Sequence, residues 1–369
     1  MRHVTHLKCV RCGAEYSPVE VQYVCPKHGN EGILDVQYDY DMISKTLSRE
    51  DFMTNDEASI WRYKPLLPVE PDSEVPSLQV GWTPLYHAPR LAEMLGLCRL
   101  WVKDDGRQPT ASFKDRASAL AIVKAREAGA GVITTASTGN AAAALAGLCA
   151  NVGQPNVIFV PESAPEAKVA QMLVFGSTVL LVEGSYDDAF ELCLEVAHEY
   201  GWYNRNTGYN PYMTEGKKTA IFEIYEQLKW QAPDCIFIPV GDGCIIGGLH
   251  KGLKDLQTLG WIEKMPRLIG VQAAGSAALY HAWKRDIDPA AIKPIKPVTV
   301  ADSIAAGLPR DRFKAIRAVA ETGGVFVTVT DEEILRAIPA MARGCGVFAE
   351  PAGAASFAGL VKAVRSGLV

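Results

Sequence analysis

A chain of 369 residues is long enough for two domains, or for one large domain with an insertion. Its 48% apolar and 21% charged residues fit a globular protein with a sizeable core, and a formal net charge of -5 offers no basic field for nucleic acid. The first residues lack the apolar core of a signal peptide and no stretch is long and apolar enough to span a bilayer, so a cytoplasmic protein without a membrane partner is expected.

The first forty residues differ in kind from the rest. Cys9, Cys12, Cys25 and His28 follow the spacing C-x2-C-x12-C-x2-H, and Gly13 and Gly29 each follow a second ligand position. Two such knuckles can place three thiolates and an imidazole tetrahedrally around zinc. A closed four-ligand site of this kind is structural, with no open position for a substrate. The competing reading is a chance cluster of unliganded thiols. The chain has nine cysteines, and Cys98, Cys149, Cys193, Cys235 and Cys345 sit in apolar surroundings, where buried, reduced thiols and no disulfide framework are expected.

From about residue 99 onward, short β-branched runs alternate with longer helical patterns, as a parallel sheet covered by helices requires. Residues 99–103 alternate like a strand, Gly106 and Pro109 break the pattern, and Phe113, Ala117, Leu120 and Ala121 recur at helical spacing. Lys114 is thereby placed in the first turn of a helix. The positive end of the helix dipole and burial both disfavour an ammonium there, and a neutral amine is what imine formation and proton abstraction need. A single lysine at a helix start is, by itself, more often an ordinary exposed side chain. Further strand and helix pairs are expected at 131–135 before a helix from Gly139, at 157–160 before one from Pro165, and at 179–182 before one from Tyr186. Others follow after Cys235, Arg267 and Val325, while the proline-rich, aperiodic run 284–309 reads as a surface connection.

Three more segments carry chemistry. Ser137-Thr138-Gly139-Asn140 ends a strand and opens a helix, which suits a carboxylate, although it is also a good helix cap. The run from Pro239 through Gly241-Asp242-Gly243-Cys244-Ile245 to Gly248 is again strand, glycine loop and helix. Its N–H groups can approach a phosphate closely, and a simple tight turn is the alternative. No Gly-Lys-Ser/Thr follows, which excludes a Walker loop, and no spaced acidic residue supports a dinucleotide. Glu350-Pro351-Ala352-Gly353-Ala354-Ala355 starts a helix with an acid, which capping alone explains.

Taken in order, GWTPL (81–85), PTASFKDR (109–116), STGN (137–140), the glycine loop from Gly241 and EPAGAAS (350–356) resemble the threonine synthases. These belong to the tryptophan-synthase-β-like, fold-type-II pyridoxal phosphate enzymes, and the resemblance covers nearly the whole chain. It implies an α/β fold of two open twisted sheets covered by helices, with a zinc-ribbon-like segment at 1–40, a large cofactor domain at 41–115 and 216–369, and a smaller α/β domain at 116–215. It implies that Lys114 forms the Schiff base with pyridoxal phosphate beside Phe113 and that Asn140 bonds the ring hydroxyl. By the same resemblance Ser137, Thr138, Gly139 and Asn140 receive the substrate carboxylate, and Gly241, Asp242, Gly243, Cys244 and Ile245 hold the cofactor phosphate. The implied reaction turns O-phospho-L-homoserine and water into L-threonine and phosphate, in a homodimer acting on a small amino acid. The alternatives are a serine/threonine dehydratase or a β-replacement enzyme and, from another class, a non-catalytic zinc-ribbon scaffold that only binds a ligand.

Several positions depart from the family pattern. Met213 stands where the family carries an arginine expected to bind substrate phosphate, so Arg205, Lys217 or Lys218 would have to compensate. Ala111 replaces the usual glycine, removing freedom to adopt positive φ before Ser112. Asp242 brings a carboxylate to the phosphate loop, repulsive unless it points away or orders the loop. The stretch 299–305 resembles the dehydratases. The family's further strand, with a Thr or Ser near the pyridine nitrogen, has no counterpart before Val369, so that role is expected to fall to another residue or beyond this sequence.

Overall fold

The two series of β-branched runs become strands of two separate parallel sheets in the computed structural model, which describes residues 3–369. By compactness the chain divides into one unit of residues up to Thr83 together with Asp105–Ala220, and a second of Pro84–Asp104 with Ile221–Val369.

The first unit opens with a three-stranded antiparallel sheet of order β2-β1-β3, made of β1 (Val4–Cys9), β2 (Glu15–Tyr16) and β3 (Leu34–Tyr38). Alternate residues Leu34, Val36 and Tyr38 are buried, the period of two expected of a sheet with one packed face. Two short helices follow: α1 (Tyr40–Ser44), capped by Asp39 accepting from the Met42 N–H, and α2 (Arg49–Met53), started by a Ser48/Asp51 capping box. The chain then contributes β4 (Leu85–His87), α3 (Pro89–Leu95) and β5 (Trp101–Lys103) to the second unit, with β4 and β5 antiparallel. The strand expected over 99–103 thus occupies only its last three residues.

Returning to the first unit, α4 (Lys114–Glu127), β6 (Ile133–Ala136), α5 (Asn140–Val152), β7 (Asn156–Pro161), α6 (Glu166–Val174), β8 (Thr178–Val182), α7 (Tyr186–Tyr200) and β9 (Tyr203–Asn204) alternate as the sequence pattern demands. All neighbouring strands are parallel, in the order β8-β7-β6-β9. Every residue of the two central strands is buried, as in a sheet covered on both faces. The unit boundary falls within α8 (Tyr212–Gln227).

The second unit is built on β10 (Cys235–Pro239), β11 (Arg267–Ala273) and β12 (Val325–Val329), parallel and in that order, with α9 (Cys244–Thr258), α10 (Ala278–Lys284), α11 (Arg312–Glu321), α12 (Asp331–Cys345) and α13 (Pro351–Arg365) around them. Its core joins Val271 and Val329 to Ala354, Phe357 and Leu360 of α13, apolar side chains of the sheet meeting one helix stripe.

Two expectations need correction. The run 284–309 is not surface connection throughout: it is largely exposed to Val300, then Ala301 and Ile304 are buried around a short 3-10 turn, Asp302–Ile304. Among the remaining cysteines, Cys149 and Cys193 are buried and burial pushes their thiols up to about 12 and about 11, but Cys98 is exposed and Cys235 and Cys345 are half-buried. All nine are free thiols. No helix among the described residues is long and apolar enough to cross a membrane.

Candidate active site

Lys114 is the first residue of α4, and the turn before it is held by side chains. Ala111 sits at φ +57, the left-handed region, despite lacking glycine's freedom. Its neighbours explain how. The Asp115 carboxylate accepts from the Thr110 backbone N–H at 2.7 Å and from the Thr110 hydroxyl, closing the turn across Ala111, while the Lys114 N–H donates to Ser112 Oγ at 3.1 Å. Asp115 is buried, and burial pushes its carboxyl up to about 6; the nearby Asp105 adds to this, while the Thr110 hydrogen bonds and the Arg116 charge oppose it.

Behind the turn lies a buried ion pair that sequence reading did not single out. Arg116 makes a two-pronged contact with Asp105, Nε to Oδ2 at 2.9 Å and Nη2 to Oδ1 at 2.8 Å, and donates to Thr219 Oγ1 at 3.0 Å and Thr83 Oγ1 at 3.2 Å. Thr83 in turn donates to Asp105 at 2.6 Å. A planar fork matched to a carboxylate fixes direction as well as charge. It therefore ties the loop after β5 to the first turn of α4. Asp115 and Arg116 were visible within the quoted motif, but nothing in their spacing shows that they are buried.

The Ser137–Asn140 segment joins β6 to α5. Asn206 Oδ1 accepts from the Ala136 N–H and from Thr135 Oγ1, both at 2.8 Å, and steadies the strand end. Gly139 is the N-cap of α5, which no side chain caps, and its own N–H donates to Ser137 Oγ at 3.2 Å. The start of α5 therefore presents backbone donors in the way an anion site requires. Thr138, Gly139, Asn140 and Ala143 line a shallow cleft whose other wall is Lys168 and Gln171 of α6.

In the second unit, the Gly241 turn is shaped by close approach. A side chain at Gly241 would begin 2.8 Å from the Ile304 Cα, and Gly243, at φ +91, is the N-cap of α9, again without a side-chain cap. Asp242 orders this loop: its Oδ1 accepts from the Arg310 N–H at 3.2 Å and its backbone carbonyl from the Asp311 N–H at 2.9 Å. Cys244 and Ile245 form the first turn of α9, with Cys244 buried. Glu350 is the N-cap of α13 with Pro351 at its first position, but its side chain makes no cap hydrogen bond, so side-chain capping does not account for the acid there.

The four N-terminal ligand candidates come together. One ligand atom from each of Cys9, Cys12, Cys25 and His28 lies within 4.8 Å of the others. The knuckles form as expected: the Gly13 N–H donates to the Cys9 carbonyl at 2.9 Å and the Gly29 N–H to the Cys25 carbonyl at 3.0 Å, with both glycines at positive φ. The Tyr16 hydroxyl lies 3.1 Å from Cys25 Sγ.

Met213 is buried, and so are all three cations expected to compensate for it. Lys218 pairs with Glu215 at 2.6 Å and lies over the Tyr38 ring, whereas Arg205 Nη1 and Lys217 Nζ both donate to Thr207 Oγ1, at 3.1 and 3.3 Å. None is a solvated surface charge.

Residues 76–369 match the pyridoxal-phosphate dependent enzyme family, the class to which a lysine at a helix start and two glycine-opened helices on parallel sheets point. Among solved structures, threonine deaminase isoform 2 from Solanum lycopersicum has a similar fold, with a TM-score of 0.68 and 23% identity over 90% of this chain and 82% of that one. Threonine synthase from Methanosarcina acetivorans is 43% identical over 365 residues, 99% of this chain and 88% of that protein, and threonine synthase from Methanocaldococcus jannaschii is 38% identical over 98% and 88%. The chain belongs to the threonine synthase family.

Proposed function

We propose that this chain converts O-phospho-L-homoserine and water into L-threonine and phosphate with pyridoxal phosphate as cofactor. The observation that carries this reading is the 43% identity, over nearly the full length of the chain, to a threonine synthase. The chain's own residues fit the cofactor: α5 and α9 both start at glycines without side-chain caps, and the one carboxylate in the Gly241–Ile245 loop is engaged by the Arg310 N–H.

Bound pyridoxal phosphate supplies an electron sink for the carbanion left when a proton is removed next to the amino group. Lys114 Nζ would hold the cofactor, and its amine would take and return protons at neighbouring substrate carbons. Phe113 and Asn140 would hold the cofactor ring, Asn140 through its side-chain amide. Ser137, Thr138, Gly139 and Asn140 fix the substrate carboxylate, orienting the carbon from which Lys114 takes its proton. Gly241, Asp242, Gly243, Cys244 and Ile245 hold the cofactor phosphate on the start of α9. Cys9, Cys12, Cys25 and His28 hold a structural zinc that stiffens the ribbon of residues 1–40, away from the chemistry. The working form is a cytoplasmic homodimer.

Incubation with O-phospho-L-homoserine tests the reaction. Release of phosphate with stoichiometric threonine is the expected result. Ammonia and a 2-oxo acid from threonine or serine, without threonine synthesis, would instead establish the dehydratase reading, which rests on methionine in place of the expected arginine at 213 and on the stretch 299–305.

A further inference from the structure

The cleft at the start of α5 has a second wall that no motif pointed to. Helix α6 packs on α5 and β8, and its only buried residue is Met172, which joins Ala142, Ala146, Ile158 and Val160 in a small core. Met172 thereby fixes which side of α6 faces α5. Lys168 and Gln171, one helical turn apart, line the cleft beside Thr138, Gly139, Asn140 and Ala143. A Cβ placed at Gly139 would lie 3.8 Å from Lys168 Nζ, an ordinary contact distance, so the ammonium reaches the loop itself.

The lining has a consistent chemistry. It comprises one ammonium, two side-chain amides, a hydroxyl and the positive end of a thirteen-residue helix, and no carboxylate. A cation and a helix N-terminus are like partial charges, and one oxyanion between them is stabilised by both. A neutral ligand gains from neither. Two helices thus converge on the needs of a single negatively charged group.

We propose that Lys168, supported by Gln171, is a substrate-binding residue that holds an oxyanion of the amino-acid substrate against the Thr138–Asn140 loop. This rests on the reading of that loop as the carboxylate site. The substrate carries two such groups, the α-carboxylate and the phosphate, and the test separates them.

The experiment compares cofactor-loaded wild type with Lys168→Gln and Lys168→Arg. Affinities are read from the cofactor's visible absorbance during titration with L-threonine, which carries only the carboxylate, and by calorimetric titration with inorganic phosphate. Lys168→Gln should weaken one of these ligands by about 10- to 100-fold, as expected for loss of a charge-assisted contact, with the spectrum of the ligand-free enzyme unchanged. Lys168→Arg should restore binding to within a few-fold. Weakened threonine binding assigns the carboxylate, and weakened phosphate binding alone assigns the phosphate. Affinities for both ligands within about twofold of wild type would overturn the proposal. Because these are binding measurements, they decide the point whether or not the wild type forms threonine; absence of turnover would count only against the proposed reaction.

Discussion

The turn before α4 and the turn before α9 solve the same problem by different means. Each leads the chain into a helix whose first residues are proposed to hold the cofactor, and each requires a residue at positive φ, Ala111 in one and Gly243 in the other. In the Gly241 turn the requirement is met by removing side chains, so that the backbone can lie against Ile304 and Asp311. In the Lys114 turn it is met by adding them: the Asp115 carboxylate clasps Thr110 and holds an alanine where glycine would be easier. A clasp can be released by chemistry and a steric fit cannot. The two turns should therefore respond differently to substitution and to pH.

The largest effect is expected at the steric site. In Gly241→Ala the new methyl would meet the Ile304 backbone at 2.8 to 3.1 Å, contacts that no rotamer change relieves. Overpacking against backbone should cost about 3 kcal/mol or more and pull the 3-10 turn off the loop, seen as a lower unfolding midpoint and weaker retention of pyridoxal phosphate on dialysis. Unchanged cofactor affinity in a folded variant would show that this loop does not hold the phosphate.

The clasp should respond to pH. The Asp115 carboxyl is raised from 3.8 to about 6 by burial, so between those values the folded protein binds a proton that the unfolded chain has lost. The stabilising contribution of this group is therefore fully present below about pH 4 and is lost as pH rises through about 6, a difference of about 2 to 3 kcal/mol. Asp115→Asn cannot titrate, so the stability difference between variant and wild type should shift in favour of the variant across that window. A constant difference from pH 4 to 7 would show that Asp115 titrates as an ordinary carboxylate.

What could be read in advance follows from the range of each interaction. The helix start at Lys114 is local, set by Gly106, Pro109 and an apolar repeat within eight residues, and it is found where expected. The cysteine knuckles are equally local: each is a single hydrogen-bonded turn around two candidate ligands. Burial of charge is not local. Lys218 looks like a surface lysine until Glu215 and Tyr38 are seen beside it, and Arg116 until Asp105 and Thr83 are. Lys168 lies on a helix whose residues are mostly exposed, so its sequence context is that of any solvated lysine, and only the packing of Met172 turns it toward the cleft. The burial of Ile304 escapes for a related reason: it joins a core with Val271 and Ala354, each more than thirty residues away along the chain, and leaves no periodic trace.

Ala111 supplies the smallest and most discriminating comparison between the two turns. An L-residue in the left-handed region costs about 1 to 2 kcal/mol, and glycine relieves that cost while adding about 0.4 to 1 kcal/mol of unfolded-state entropy. Ala111→Gly should therefore stabilise the protein by roughly 0.5 to 1 kcal/mol, a rise of a few degrees at most in the unfolding midpoint. The same change should matter more once the clasp is gone. In Asp115→Asn the turn must hold Ala111 at φ +57 with a weakened grip on Thr110, so adding Ala111→Gly should recover more stability there than it gives the wild type. Strictly additive effects in that double-mutant cycle would mean that Asp115 does not hold the turn, and that Ala111 owes its conformation to the Gln108–Ala111 hydrogen bond and the packing around it alone.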